Sequence, residues 1–195
     1  MSASAEIALF PLNAVLFPGG PLPLRIFEPR YVDMVRRCMR DATPFGVVRI
    51  LEGAEAGACA STAAVGTSAR IVDFSTLPDG LLGILCRGER KFRVLRRWQQ
   101  DDGLNCAQIE WLAGEPEVAL PAQYQHLGRI VERLLTRLGD RYAAEEVRTH
   151  DAGWVGCRLA EILPVELDEK QSWLELEDPL ARLASLNALI RVSED

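Results

Sequence analysis

LFPLNAVLFPGGPLPLRIFEPRY, the run from Leu9 to Tyr31, decides how the rest of the chain is read. Pro11, Pro18, Pro21 and Pro23 each fix φ at about −65° and withhold a backbone donor, so the run is extended and cannot be helix. Gly19 and Gly20 let it turn sharply between its two halves. Beyond that turn Leu22, Leu24 and Ile26 recur at period two, the signature of a strand. Residues 31–39 change period: Tyr31, Val35 and Cys38/Met39 fall at three- and four-residue steps, with Arg36, Arg37 and Arg40 facing away. Pro29 before them and Thr43-Pro44 after them mark the ends of a helix. Glu28 and Arg30, on either side of Pro29, are placed to pair with each other or to cap that helix.

Downstream, short apolar runs alternate with turn residues. Residues 45–51 and 65–74 read as strands. Pro78-Asp79-Gly80 is a turn in which Pro presets φ and Gly accepts positive φ. Residues 81–87 and 91–98 follow as two strands separated by Gly88. Asp101-Asp102-Gly103 then turns the chain into 104–112, where Ala107, Ile109 and Trp111 alternate with Gln108 and Glu110. Residues 52–64 are rich in Ala, Gly and Ser, lack a period, and read as a mobile loop. About six short strands at this spacing predict a small, mostly antiparallel barrel with one inserted helix.

Between Pro116 and Pro121 the period becomes helical. Tyr124, Leu127, Ile130/Val131, Leu134/Leu135 and Leu138 form one stripe, ended by Gly139. Val155, Leu159 and Ile162/Leu163 form a second, with Asp151 as its N-cap. Asp168, with Gln171 three residues on, has the pattern of a capping box. Asp178-Pro179 opens the last helix as N-cap and first helical residue. The fold class is therefore α+β, with a β-barrel subdomain over residues 1–117 and a helical subdomain over 118–195.

With 22 Lys+Arg against 28 Asp+Glu, the 195-residue chain carries a net charge of −6, which argues against coating nucleic acid or anionic membrane. No apolar stretch is long enough to span a bilayer, and residues 1–6 lack the basic start of a secretory signal. Five widely spaced cysteines (Cys38, Cys59, Cys86, Cys106, Cys157) and two histidines form no metal-ligand spacing and fit reduced thiols in the cytoplasm. No metal and no cofactor is expected. Catalytic motifs are missing: Gly83 to Gly88 has phosphate-loop spacing, but Glu89-Arg90 stands where Lys and a hydroxyl are needed. His150 and Cys157 are seven residues apart, about 10 Å along one helix, too far for a hydrogen-bonded pair. The chain is read as non-enzymatic.

One run favours a different partner. Arg87, Arg90, Lys91, Arg93, Arg96 and Arg97 fall within eleven residues, and alternation puts Lys91, Arg93 and Arg97 on one strand face. That face suits phosphate backbone or acids on a neighbouring strand equally well. No aromatic interleaves with the basic residues, which weighs against RNA as the partner.

The Leu9–Tyr31 run, with its FPL and VLFPG segments followed by IFEPRY, resembles the opening of the Lon protease N-terminal, substrate-binding domain. Val65-Gly66-Thr67 with Ala69-Arg70-Ile71, and Asp79-Gly80 through Arg87-Gly88-Glu89-Arg90 to Val94, resemble its next strands. Trp154 to Leu163 and Glu169-Lys170-Gln171 resemble the helical half of small, stand-alone bacterial members. The resemblance covers most of the chain. It implies a PUA-like β-barrel followed by a C-terminal helical bundle, and a role in capturing unfolded or extended polypeptide within a protease system. It does not carry over ATPase or peptidase activity, because no P-loop and no serine motif beside Lys91 or Lys170 is present. Two readings of the opening motif stand side by side. In one it only fixes the fold; in the other Phe10, Phe17, Leu22 and Phe27 line an apolar groove for an extended segment of another chain. The alternative function is an RNA-binding PUA-like module using Arg87 to Arg97.

Overall fold

The computed structural model describes residues 4–53, 61–142 and 146–192, which fall into two compact units, 1–113 and 114–195. The first is a sheet with one helix and the second is helical, an α+β chain. In the first unit the strands are β1 (Ser4–Leu12), β2 (Pro21–Ile26), β3 (Phe45–Glu52), β4 (Ser61–Thr62), β5 (Val65–Thr76), β6 (Leu82–Gln99) and β7 (Asn105–Trp111), with α1 (Pro29–Asp41) between β2 and β3. Pairing runs β1–β7–β6–β5–β3 and returns from β3 to β1. Every partnership is antiparallel except β1 with β3, where Leu9 lies opposite Gly46 and Leu12 opposite Arg49. β2 attaches by its pairing with β6, from Pro21 opposite Arg87 to Ile26 opposite Leu82.

Strand alternation sends side chains into two clusters. Ile7, Leu9, Val48, Phe92 and Ile109 form one. The Phe92 ring fills the space that side chains on Gly46 and Gly66 would need: a Cβ there would lie 2.7 and 2.8 Å from Cζ. The larger cluster joins Phe10, Ile26, Phe45 and Ile84 to the buried face of α1, Tyr31, Met34, Val35 and Cys38. The helix therefore lies against the sheet, held by the three- and four-residue spacing visible in the sequence.

In the second unit α2 (Gln125–Leu138), α3 (Ala152–Ile162), α4 (Leu167–Glu175) and α5 (Pro179–Val192) follow one another. Leu127, Val131, Val155, Leu159, Trp173, Leu183 and Leu186 are buried. Asp151 caps α3 by accepting from Trp154 N–H at 2.6 Å, and Asp178 accepts from Leu180 N–H at 2.8 Å at the start of α5. The chain leading into α2 is tied down by Leu120 N–H to His150 C=O (2.7 Å) and Ala152 N–H to Val118 C=O (2.8 Å).

Three expectations are corrected. Residues 82–99 are one strand, not two strands parted at Gly88. Gly88 serves a close approach instead: a Cβ would sit 2.3 Å from the Phe17 carbonyl oxygen, and Gly88 accepts from Gly19 N–H and donates to Gly20 C=O at 2.8 and 2.9 Å. Ser61–Thr62, within the stretch read as loop, pairs with β3, while residues 54–60, including Cys59, lie outside the described residues. Asp168 is not an N-cap: α4 begins at Leu167 after Glu166, and Asp168 sits in the first turn, where a carboxylate suits the positive end of the helix.

Candidate functional site

The end of β2 and the turn into α1 place the singled-out aromatics in very different settings. Ile26 points into the core, so Phe27, one residue on, is turned outward and is 61 % exposed. Phe10 is 7 % exposed, its ring stacked on Tyr31 (centroids 4.0 Å apart, planes at 14°) and tilted against Phe45 at 6.0 Å. Phe17 has no exposed surface, and Leu22 is half-buried against the larger core cluster.

A concavity of about 280 Å³ opens among β1, β2 and α1. Phe10, Leu24, Ile26, Phe27 and Tyr31 form its apolar lining. Phe10 and Phe27 are thus brought together there, whereas Phe17 and Leu22 are not part of its wall. The expected groove loses Phe17 for a physical reason: the backbone contact with Gly88 pulls its stretch of chain onto β6, and the ring goes inside. Tyr31, read from the sequence as helix core, proves to be both core and floor of the concavity.

The charges at its rim are engaged within the chain. Arg25 forms an ion pair with Asp79, and Glu28 pairs with Arg30 at 2.7 Å. Arg30 also donates to Gly103 C=O at 2.8 Å and lies 4.8 Å above the Tyr31 ring. Glu28 makes no side-chain cap to α1, so of the two roles open to it in the sequence it takes the pairing one.

A second concavity, also about 280 Å³, lies by the C-terminal end of α1, bordered by Cys38, Met39, Val72 and the 59 % exposed Phe74. Burial pushes the Cys38 thiol above its ordinary value, partly opposed by a hydrogen bond with Thr43. Burial, with Cys38 nearby, pushes Cys86 up to about 12. Raised thiol pKa values mean protonated, unreactive sulfur, the opposite of an activated nucleophile.

The basic strand divides among several roles. Lys91 is only 5 % exposed and sits opposite Thr67. Arg97 donates to the carbonyls of Thr62 and Ala63, both at 2.8 Å, and Arg90 lies 4.8 Å above the Trp111 ring. The single face expected from Lys91, Arg93 and Arg97 is broken by a register shift between Val94 and Arg96, which resets the alternation. Elsewhere, His150 is exposed and the buried Cys157 sulfur faces Arg182 Nη1 at 3.6 Å. Among the described residues, no group of His, Cys, Asp and Glu is arranged to hold a metal ion, and no helix is long and apolar enough to cross a membrane.

Residues 6–192 match the model of the ATP-dependent protease La (LON) substrate-binding domain. The Lon protease of Anaeromyxobacter dehalogenans (strain 2CP-C) is 32 % identical over 190 residues, 92 % of this chain. Lon protease 2 of Myxococcus xanthus is 28 % identical over 186 residues, 91 % of this chain. The chain spans 22 % of the length of each. A crystal structure of a Lon N-terminal domain protein from Xanthomonas campestris superposes with a TM-score of 0.78 at 38 % identity, covering 94 % of this chain and 98 % of that one. The N-terminal domain of the Mycobacterium avium complex Lon protease shares the fold, with a TM-score of 0.64 at 16 % identity.

Proposed function

The chain belongs to the Lon substrate-binding domain family, and from that premise we propose that it is a non-enzymatic module that binds extended or unfolded polypeptide for a protease system. The observation that carries the proposal is Phe27, a largely exposed phenylalanine at the mouth of an apolar concavity whose rim charges are already paired. An exposed ring beside an apolar concavity offers an anchoring point for a side chain of an extended partner segment. A concavity of about 280 Å³ has room for an anchoring side chain. The ring of strand pairings supports a closed, PUA-like barrel as the scaffold. Free buried thiols fit a cytoplasmic location. The engaged Lys91, Arg90 and Arg97 favour this reading over nucleic acid, which needs cations free to meet phosphates.

The test is titration of the protein into fluorescently labelled, reduced and carboxymethylated α-lactalbumin. Binding is expected with a Kd on the order of micromolar or weaker, because ordering a flexible segment offsets much of the contact energy. Phe27→Ser should weaken it at least fivefold with Tm unchanged. Absence of any binding, or binding indifferent to Phe27, overturns the proposal.

A further inference from the structure

The backbone parity of β2 is set at its start. Gly88 N–H donates to Gly20 C=O at 2.9 Å, and the antiparallel register continues from Pro21 opposite Arg87 to Ile26 opposite Leu82. The alternation of such a ladder turns the backbone groups of Leu22, Leu24 and Ile26 toward β6 and those of Pro21, Pro23 and Arg25 toward the opposite edge. Among the described residues no strand pairs with that edge. Two of its three residues are prolines, so it offers three carbonyl acceptors and a single donor, Arg25 N–H. A strand laid along it would leave two of its own carbonyls without partners, the condition under which edge pairing becomes unfavourable. The same strand lines the Phe27 concavity through Pro23, Leu24 and Arg25.

We propose that Pro21 and Pro23 are specificity residues of the polypeptide site: they close the β2 edge to strand addition, so that a segment is held by a side chain in the concavity and is never incorporated into the sheet. The partner this surface fits is an extended segment with an uncharged, bulky apolar side chain, since Arg25 and Glu28 are spent on Asp79 and Arg30. The proposal rests on the polypeptide-binding reading for its effect on clients. Its effect on pairing between copies of this chain does not.

The test is the double variant Pro21→Val/Pro23→Val, which restores two donors in residues suited to extended backbone. Sedimentation velocity without any client should show association that rises with concentration in the variant and not in the wild type. Adding Arg25→Pro, which removes one of the three donors, should weaken that association. With labelled carboxymethylated α-lactalbumin, release from the double variant should be at least tenfold slower than from the wild type. If the double variant loses the wild-type circular dichroism spectrum, Pro23→Val alone carries the same comparison. A folded variant with wild-type sedimentation and release overturns the proposal, as does equal association of the wild type. A variant that associates while neither protein binds client supports edge closure and sinks the polypeptide reading alone.

Discussion

Arg182 and Glu115 form a two-point ion pair inside the helical unit, Nη1 to Oε2 at 2.8 Å and Nη2 to Oε1 at 2.5 Å. The guanidinium is fully enclosed and also donates to the carbonyls of Trp173 (2.9 Å) and Leu176 (2.8 Å). It thereby fastens the chain just before α2 to the loop between α4 and α5. Removing the carboxylate leaves a buried cation with two carbonyls and the Cys157 sulfur but no counter-charge in contact, and Glu115→Ala should lower stability by about 3–5 kcal/mol in urea denaturation. Arg182→Met combined with Glu115→Leu should recover most of that loss, because neither charge is then left alone.

Phe17 and Phe27 should separate cleanly by calorimetry. Truncating the enclosed ring, Phe17→Ala, is expected to cost about 3–5 kcal/mol. Phe27→Ser should change stability by less than about 0.5 kcal/mol, as surface substitutions away from special features do. Equal losses would mean that Phe27 is a packing residue and not part of a docking surface.

Gly66 should tolerate no side chain. A Cβ there would lie 2.4 Å from the Val47 carbonyl oxygen and 2.8 Å from the Phe92 ring. Backbone and ring must both move, so Gly66→Ala should cost roughly 1–3 kcal/mol or more. Gly114, where a Cβ meets nothing within 4 Å, is the control: Gly114→Ala should be near neutral.

Cys86 should make the sheet unit sensitive to alkali. Its thiol is held protonated by burial, at about 12 against an ordinary 9.0. The folded form keeps a proton that the unfolded form releases, so this contribution to stability is intact below pH 9.0 and is lost as pH rises toward about 12. Urea midpoints should fall across that window and fall less in Cys86→Ala measured against its own neutral-pH value. Labelling by iodoacetamide at pH 8 should likewise be slow for native Cys86.

Much of this was legible in the sequence because the signals are local. Prolines and period two drew β2, and the three- and four-residue steps of Tyr31, Val35 and Cys38 drew the buried face of α1. Asp151 and Asp178 announced helix starts through side-chain chemistry that acts over three residues. What escaped was non-local. The parallel pairing of β1 with β3 leaves no mark on either strand alone. The register shift after Val94 moves Arg97 without changing its neighbours in sequence.

The candidate site was half legible for the same reason. Leu22 and Phe27, grouped from the sequence as groove residues, have opposite parity along β2. Phe17 follows a stretch without period, where distant contacts of its own backbone with Gly88 and of Leu16 C=O with Thr67 Oγ1 hold the ring inside. Tyr31 was placed on the helix and missed as concavity floor, because its stacking partner Phe10 lies on β1, twenty-one residues earlier in the chain.

The returning pairing of β1 has a consequence for biosynthesis. β1 is complete at Leu12, yet its antiparallel neighbour β7 begins only at Asn105. At about 5–20 residues per second, a translating ribosome delivers that neighbour roughly 5–20 s later. Through that interval β1 can meet β3, complete at Glu52, while Ile7 and Leu9 lack the cover of Ile109. Closure of the sheet on the β7 side of β1 therefore waits for residues 105–111, and a chain cut before Asn105 should leave Ile7 and Leu9 without that cover.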